Sequence, residues 1–185
     1  IEAIKELSGK AGRQRVVWRY DPIIFNAGYT PEFHMRAFRE LALRLAPYTE
    51  KCTVSFLDDY LKIRSAIKKA GIYFPSDTLA EELICSFADS ARHAGIYIDA
   101  CAEMGNFEKY GVGAAACVDI GRFEKLGVKG LEYKKDKNQR PLCGCMKSVD
   151  IGAYNTCRSG CIYCYAGHLK NGCVLMETGA EMLGE

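Results

Sequence analysis

Residues 15–22 read R-V-V-W-R-Y-D-P, a short segment of apolar and aromatic residues that ends at a proline. This composition is typical of a β-strand, and Pro22 predicts its end. The next ordered segment opens with T-P-E at residues 30–32, because threonine caps a helix and proline suits its first turn. We expect that helix to run to about Ala46. A strand followed by a helix is thus the first structural unit of this chain.

Two more units of the same kind follow. The second strand is C-T-V-S-F-L-D-D (52–59) and the third is G-I-Y-I-D-A-C-A-E (95–103). Helices are predicted from about Tyr60 to Ala70 and from a Ser76 or Asp77 cap to near Gly95, with short helical turns at Phe107–Tyr110 and Ile120–Leu126. Strands that alternate with helices predict a parallel sheet. We therefore expect an α/β fold, a partial TIM-like barrel of β-α units with a Cys-rich C-terminal loop segment.

Composition divides the 185 residues into three parts of one domain. We assign residues 1–138 to the partial barrel, 139–168 to a Cys-rich cluster-binding segment and 169–185 to a tail. The opening residues, I-E-A-I-K-E-L, have the pattern of an amphipathic helix already under way. We therefore expect this chain to be a fragment whose N-terminal part is missing.

Charge and cysteine content narrow the class of protein. A net charge of +2 argues against a dedicated nucleic-acid or membrane-surface binder, and no apolar run is long enough to predict a membrane span. A disulfide scaffold is usually a short secreted chain with few other core residues, which does not fit this sequence. The ten cysteines therefore indicate reduced thiols in the cytoplasm that hold a metal or a cluster.

Three of the cysteines stand in T-C-R-S-G-C-I-Y-C-Y-A-G, residues 156–167. Cys157, Cys161 and Cys164 can bind three irons of a 4Fe-4S cluster and leave the fourth iron open for S-adenosylmethionine. Gly160 would let the backbone approach the cluster closely. The alternative is a structural zinc held by Cys143 and Cys145 with Cys161 and Cys164, although it leaves Cys157 without a role.

This spacing resembles that of the radical S-adenosylmethionine superfamily. The resemblance implies that an electron from the cluster breaks a carbon–sulfur bond of S-adenosylmethionine, and that a donor such as flavodoxin or ferredoxin supplies it. It also implies that Tyr163 lies beside the adenine and that Tyr165 extends the same apolar wall. In that superfamily the three-cysteine loop follows the first barrel strand. Here it comes almost last, so we expect either a permuted barrel or a loop that folds back over the strand ends.

A closer resemblance covers nearly the whole chain. Its motifs are V-V-W-R-Y-D-P-I, D-A-C-A-E, K-D-K-N-Q-R, C-G-C and D-I-G-A-Y-N-T-C-R-S-G-C-I-Y-C-Y-A. They are similar to those of an uncharacterised bacterial family, domain of unknown function eighteen forty-eight. The resemblance implies a larger barrel-like protein with radical S-adenosylmethionine chemistry. The C-Y-C-Y run is also similar to that of the spore photoproduct lyases, which repair DNA, so nucleic acid stays among the open partner classes.

Polar side chains follow one face of the predicted strands toward their carboxyl ends, where parallel α/β proteins place their chemistry. Arg19 and Asp21 alternate along the first strand, and Asp99, Cys101 and Glu103 along the third. We take Arg19, Asp21 and Glu103 as candidate catalytic residues that line a pocket. Ion pairing and helix capping would account for them equally well. Both interpretations stay open at this point.

Four further cysteines suggest a second site: Cys101, Cys117, Cys143 and Cys145. Four thiolates can hold a second 4Fe-4S cluster or a zinc ion, so replacing Cys101 and Cys117 with alanine should lower the iron content. The alternative is free buried or regulatory thiols. Residues expected in the core are Trp18, Tyr20, Cys52 and Cys85. The run G-V-G-A-A-A (111–116) follows a helical turn, so it predicts a tight turn rather than a dinucleotide-binding loop.

These features together favour an iron–sulfur protein of the radical S-adenosylmethionine type, with a small-molecule or macromolecular substrate that the sequence does not identify. The alternative is a protein without enzymatic activity, either a zinc-stabilised binding module or an iron–sulfur electron carrier. The identity of the metal and the binding of S-adenosylmethionine would separate these three classes.

Overall fold

The structure is a computed structural model, and it describes residues 1–149, 151–152, 156–157, 159–164 and 166. In this part of the chain the α-helices are α1 (Glu2–Ala11), α2 (Pro31–Leu45), α3 (Arg64–Lys69), α4 (Asp77–Ala94) and α5 (Ile120–Lys125). The strands are β1 (Val17–Ile23), β2 (Lys51–Phe56), β3 (Tyr97–Ala100) and β4 (Gly113–Ala114). Short 3-10 helices occupy Arg13–Arg15, Leu61–Ile63 and Glu108–Tyr110.

The chain forms two compact units. The first unit comprises Ile1–Leu57 and Phe74–Lys147, and the second comprises Asp58–Tyr73 and Ser148–Glu185. The first unit contains all four strands. Within the second unit, Arg64 forms a two-pronged ion pair with Asp59, with N–O distances of 2.7 and 2.8 Å. The helix predicted over residues 60–70 is a 3-10 turn followed by α3.

The four strands form one parallel sheet in the order β1-β2-β3-β4. The predicted parallel α/β architecture is therefore confirmed. β1 does not stop at Pro22 but continues to Ile23, and its pairing with β2 is irregular between Tyr20 and Ile23. A proline has no N–H to donate to a neighbouring strand, so the ladder is interrupted there and then resumes.

One face of the sheet packs against α2 and α4 through aromatic rings. The ring of Phe38 stacks on Phe87 at 4.0 Å and on Trp18 at 4.8 Å between centroids. Tyr20 meets both phenylalanines edge to face, and its hydroxyl lies 2.8 Å from His34 Nδ1. Trp18 is buried and Tyr20 packs against the same core, as predicted. This apolar layer stabilises the sheet because large aromatic side chains lose most of their contact with water.

Local signals in the sequence determine where α2 and α4 begin and end. The Thr30 hydroxyl accepts a hydrogen bond from Phe33 N, and the Ser76 hydroxyl accepts one from Leu79 N, both at 3.2 Å. Each satisfies an N–H group that the first helical turn leaves unpaired. α4 ends at Ala94 and is capped by Gly95, which has a left-handed φ of 69°. The predicted bounds of both helices are confirmed.

The other face of the sheet is polar, and the chain after β4 covers it. Asp99 is only 1% exposed, pairs with Lys51 and accepts a hydrogen bond of 2.7 Å from the Thr53 hydroxyl. From α5, Arg122 Nη2 donates to Gln14 O at 2.6 Å. Because Gln14 precedes β1 while α5 follows β4, the segment between β4 and α5 crosses this face from one edge of the sheet to the other.

β4 was not predicted, and it lies within the run expected to be a tight turn. Gly111 does make a turn, with a left-handed φ of 79°, but Gly113 and Ala114 then pair with Asp99 and Ala100. A side chain at position 113 would collide with the hydroxyl of the exposed Tyr97, which would then have to move. Two small residues carry no strand signal of their own, and the pairing with β3 defines this strand.

Candidate functional site

Four cysteines and two arginines of the first unit lie together beside the carboxyl ends of β3 and β4. We call this group the cysteine–arginine cluster: Cys101, Cys117, Cys143, Cys145, Arg19 and Arg140. Cys101 directly follows β3, and Cys117 comes three residues after β4. The carboxyl ends of parallel strands are where α/β proteins place their functional groups. The position of the cluster therefore makes it the candidate functional site of the first unit.

Hydrogen bonds join the four cysteines into a chain. The thiols of Cys101 and Cys117 form a hydrogen bond with each other. The backbone N–H of Cys117 donates to Cys145 Sγ at 3.0 Å, and Cys145 in turn forms a hydrogen bond with Cys143. Cys101, Cys143 and Cys145 are buried, whereas Cys117 is exposed. The tertiary structure thus brings together the four cysteines that we predicted to share a second site.

The C-G-C segment is held against the chain that follows β4. Met146 N donates to Val118 O at 3.1 Å, and Met146 also pairs with Lys135 in an antiparallel bridge. A Cβ added to Gly144 would lie 3.0 Å from Ala115 O, closer than side chains normally approach a backbone oxygen. Glycine at this position therefore lets the two segments come close enough for their cysteines to meet.

Two guanidinium groups face the sulfurs. Arg19 Nη1 donates to Cys117 Sγ at 3.0 Å, while its Nε and Nη2 donate to Asp21 Oδ2 at 3.0 and 2.7 Å. Asp21 therefore fixes the direction in which Arg19 points. Arg140 Nη2 lies 3.8 Å from Cys101 Sγ and 3.5 Å from Cys101 O. These cations favour the thiolate form of the cysteines beside them.

The thiols of the cluster differ in acidity. The hydrogen bond from Cys117, together with Arg19 and Arg140, lowers the pKa of Cys101 to about 6 against the opposing effect of burial. Its hydrogen bond to Cys101 and its burial raise the pKa of Cys117. Burial raises the pKa of Cys143. At neutral pH, Cys101 is therefore the thiolate, and Cys117 and Cys143 keep their protons.

The chemistry of these donors suits a soft metal, because thiolates prefer zinc, Cu(I) and iron–sulfur clusters. Within the described ranges, however, no three or more His, Cys, Asp or Glu side chains are already placed to hold a metal ion. The sulfurs of the cluster are arranged as hydrogen-bonded pairs instead. The cluster can thus provide a nucleophilic thiolate as it stands, and four metal ligands if its side chains turn toward a common point.

The three predicted catalytic residues do not all meet. Arg19 and Asp21 pair within the cysteine–arginine cluster. Glu103 instead accepts a hydrogen bond of 2.8 Å from Phe56 N, at the end of β2. A carboxylate that takes the N–H at the end of a strand satisfies a backbone donor there. The interpretation of Arg19 and Asp21 as an ion pair is confirmed, and a substrate role for all three stays a prediction.

The predicted three-cysteine loop belongs to the second unit. Cys157 is exposed, and Cys161, Tyr163 and Cys164 are partly buried. The Ser159 hydroxyl and backbone N–H lower the pKa of Cys157. Gly160 has a left-handed φ of 63°, and Cys164 N donates to Cys161 O at 3.1 Å, so the loop contains a turn. Tyr165, predicted to lie near the cofactor, is outside the described residues.

Two features of the first unit were missed by sequence reasoning. Arg140 was not among the predicted site residues, and no local signal indicates that it reaches Cys101. The second feature is a cavity of about 370 Å³ over the start of β2 and β3, lined by Lys51, Asp99, Asp119 and Arg122 among others. Its lining carries both signs of charge and does not point to one class of ligand. Of these four residues, Asp99 was noted from the sequence, as a polar residue of the third strand.

Comparison with known proteins gives one result. A family model described as Domain of unknown function (DUF1848) matches residues 1–166. Neither a curated protein nor a solved structure matches the chain. Within the described residues, no helix combines the length and the apolar character that crossing a membrane requires. The family match covers the sheet, the cysteine–arginine cluster and the three-cysteine loop alike.

Proposed function

This chain belongs to the family described as Domain of unknown function (DUF1848), and from that premise we propose that it is an iron–sulfur protein of the radical S-adenosylmethionine type. The observation that carries the proposal is the spacing of Cys157, Cys161 and Cys164. Three thiolates bind three irons of a 4Fe-4S cluster and leave one iron free for the cofactor. The description of the family names no activity, so the proposal depends on the chemistry of these residues.

The loop itself has properties that support this proposal. Cys157 is exposed, its Sγ accepts a hydrogen bond from Ser159 N, and it forms another with the Ser159 hydroxyl. Both contacts lower the pKa of Cys157 and so favour its thiolate, the form that binds iron. In the part of the chain that the structure describes, no atom lies within 4 Å of a Cβ added at Gly160, so the backbone is accessible there. When bound, the cluster would supply the electron that cleaves S-adenosylmethionine. Tyr163, together with Tyr165, would bind the adenine.

The proposal also covers the substrate-contacting residues, the electron donor, the complete fold and the compartment. Arg19, Asp21 and Glu103 would contact substrate, flavodoxin or ferredoxin would supply the electron, and the parallel sheet would form part of a TIM-like barrel. Reduced cluster-binding thiols fit the cytoplasm. The substrate is a small molecule or a macromolecule, with nucleic acid among the latter. We also propose that the family is bacterial.

The alternative function, a zinc-stabilised module or an electron carrier, also has an observation in its favour. The cysteine–arginine cluster offers four thiols and two cations at one place in the first unit. A site with four protein thiolates has no open position for a cofactor. A chain that used only this site would therefore have a structural or electron-transfer role.

The proposal is tested by measuring iron, sulfide and zinc in anaerobically reconstituted protein, followed by electron paramagnetic resonance of the reduced sample with and without S-adenosylmethionine. We expect about four irons per chain on the loop, and a signal that changes when S-adenosylmethionine is added. The triple variant Cys157→Ala/Cys161→Ala/Cys164→Ala should lose this signal, whereas the control Cys85→Ala should keep it. A signal indifferent to S-adenosylmethionine, or one retained by the triple variant, would contradict the proposal.

A further inference from the structure

We propose that Cys101, Cys117, Cys143 and Cys145 form a four-thiolate site for a single tetrahedral metal ion of the zinc class. This inference goes beyond the proposed function and does not depend on it, because it uses none of the cysteines of the three-cysteine loop. The proposal rests on where the backbone places these four residues and on which groups surround their sulfurs.

The backbone brings the four cysteines together from three separate segments of the chain. Cys101 ends β3, Cys117 lies on the segment that crosses the polar face, and Cys143 and Cys145 flank Gly144. Backbone hydrogen bonds hold these segments, since Met146 N donates to Val118 O. The close approach at Gly144 means that this meeting of segments is a built feature of the fold.

The pairing of neighbouring thiols by hydrogen bonds favours one ion over a 4Fe-4S cubane. The thiol of Cys101 forms a hydrogen bond with that of Cys117, and the thiol of Cys143 forms one with that of Cys145. Around a tetrahedral zinc, with Zn–S bonds of about 2.3 Å, neighbouring sulfurs lie about 3.8 Å apart and so touch. The thiolates at the corners of a cubane are held well apart by the irons and sulfides between them. Metal binding would replace the S–H hydrogen bonds by bonds to the metal. Rotation about the Cα–Cβ bond of each cysteine is enough to turn its sulfur toward the ion.

The charges around the sulfurs match those of a loaded site. A divalent ion with four thiolates carries a net charge of two minus. Arg19 Nη1 and Arg140 Nη2 approach Cys117 Sγ and Cys101 Sγ at 3.0 and 3.8 Å and would offset that charge. The N–H of Cys117 already donates to Cys145 Sγ. Hydrogen bonds from backbone N–H groups and cations to the sulfurs are the surroundings that stabilise a metal thiolate.

A site with four protein ligands leaves no position for substrate, so its role would be structural. It would tie the segment that crosses the polar face to the end of β3 and to the C-G-C segment. Metal binding would then be linked to the folding of the first unit, because the unfolded chain does not hold the four thiols together.

The test compares variants of the full chain by native mass spectrometry after purification with zinc. The variant Cys157→Ala/Cys161→Ala/Cys164→Ala removes the other proposed site, and we expect it to keep one zinc per chain. Adding Cys143→Ser and Cys145→Ser should abolish zinc binding, while adding the control Cys85→Ser should not. Absence of zinc from the first variant, or iron and sulfide in its place, would overturn the proposal.

A second measurement does not depend on whether the serine variants fold. Wild-type protein is alkylated with iodoacetamide, with and without zinc, and each cysteine is followed by mass spectrometry. Zinc should slow the alkylation of Cys101, Cys117, Cys143 and Cys145 at least about tenfold and leave Cys85 unchanged. Equal rates with and without zinc at these four positions would refute the site. If the protein retains zinc but its iron signal does not change with S-adenosylmethionine, the proposed function is contradicted and the zinc site is not.

Discussion

Cys101 owes its acidity to neighbours that come from distant parts of the chain. Its pKa is lowered to about 6 by the hydrogen bond from Cys117 and by two guanidinium groups. Its thiolate is therefore the main form above about pH 6, whereas an isolated cysteine becomes a thiolate only above about pH 8.5. Since alkylating reagents react with thiolates, the reaction rate of Cys101 reports on the charges around it.

We expect Arg19→Met to raise the pKa of Cys101 and to slow its alkylation at pH 7, in the presence of a chelator, by about threefold to tenfold. The reason is that methionine fills much of the same space but does not stabilise the thiolate. The measurement is the rate of iodoacetamide labelling of Cys101 from pH 5 to 9. The matched control is Arg44→Met, which removes an exposed arginine paired with Glu40 on α2. An unchanged pH profile in Arg19→Met would show that this contact does not set the acidity of Cys101.

Single residues were predictable where strand geometry alone decides their direction. Alternation along β1 placed Arg19 and Asp21 on one face and Trp18 on the other, and the structure agrees. The partner of Arg19 was not predictable, because Cys117 lies 98 residues further along the chain. A contact of that kind depends on how strands stack side by side, which no local pattern records.

At the scale of elements, the close packing of C-G-C against the chain after β4 depends on Gly144. We expect Gly144→Ala to lower the free energy of unfolding by about 1–2 kcal/mol, because the added methyl group meets the backbone oxygen of Ala115 at 3.0 Å. The variant should also hold zinc less tightly, since the two cysteine segments would move apart. Urea denaturation and zinc titration measure the two effects.

The control for this substitution has the opposite sign. Gly9 lies within α1, and none of the described residues has an atom within 4 Å of a Cβ added there. We therefore expect Gly9→Ala to raise the free energy of unfolding by up to about 1 kcal/mol, through the higher helix propensity of alanine. If both alanine variants changed stability alike, the contact at Gly144 would not be the cause.

Elements with strong end signals were predicted well, and elements without them were not. Thr30 and Ser76 cap α2 and α4 as expected. Each hydroxyl accepts a hydrogen bond from an N–H group in the first turn of the same helix, so the signal is local in sequence. β4 was missed, since Gly113 and Ala114 become a strand only by pairing with β3. The helix predicted after β2 is shorter than expected, with a 3-10 turn over Leu61–Ile63 at its start.

At the scale of the whole molecule, the two faces of the sheet are stabilised in different ways. The apolar face rests on the stacked rings of Phe38 and Phe87. The polar face depends on the buried ion pair between Lys51 and Asp99, which the segment between β4 and α5 covers. Removing one partner of a buried ion pair leaves an uncompensated charge away from water.

We expect Lys51→Met to lower the free energy of unfolding by about 3–5 kcal/mol, because Asp99 is 1% exposed and would lose its cation. The double variant Lys51→Met/Asp99→Leu should recover part of this loss, since it removes the buried charge as well. Chemical denaturation of the two variants measures the difference. The control Lys10→Met breaks an exposed pair with Glu6 and should change stability by less than about 1 kcal/mol. A double variant less stable than the single one would contradict this account of the polar face.

The sequence by itself determined the order of the helices and of the first three strands, the caps of α2 and α4, and the spacing of Cys157, Cys161 and Cys164. Each of these depends on residues a few positions apart. It also suggested that Cys101, Cys117, Cys143 and Cys145 share a site. Only the tertiary structure decided that they do meet, and that Arg19 and Arg140 face their sulfurs. These contacts join residues tens of positions apart, and they form because a parallel sheet brings the ends of its strands to one edge, where the connecting segments then pack.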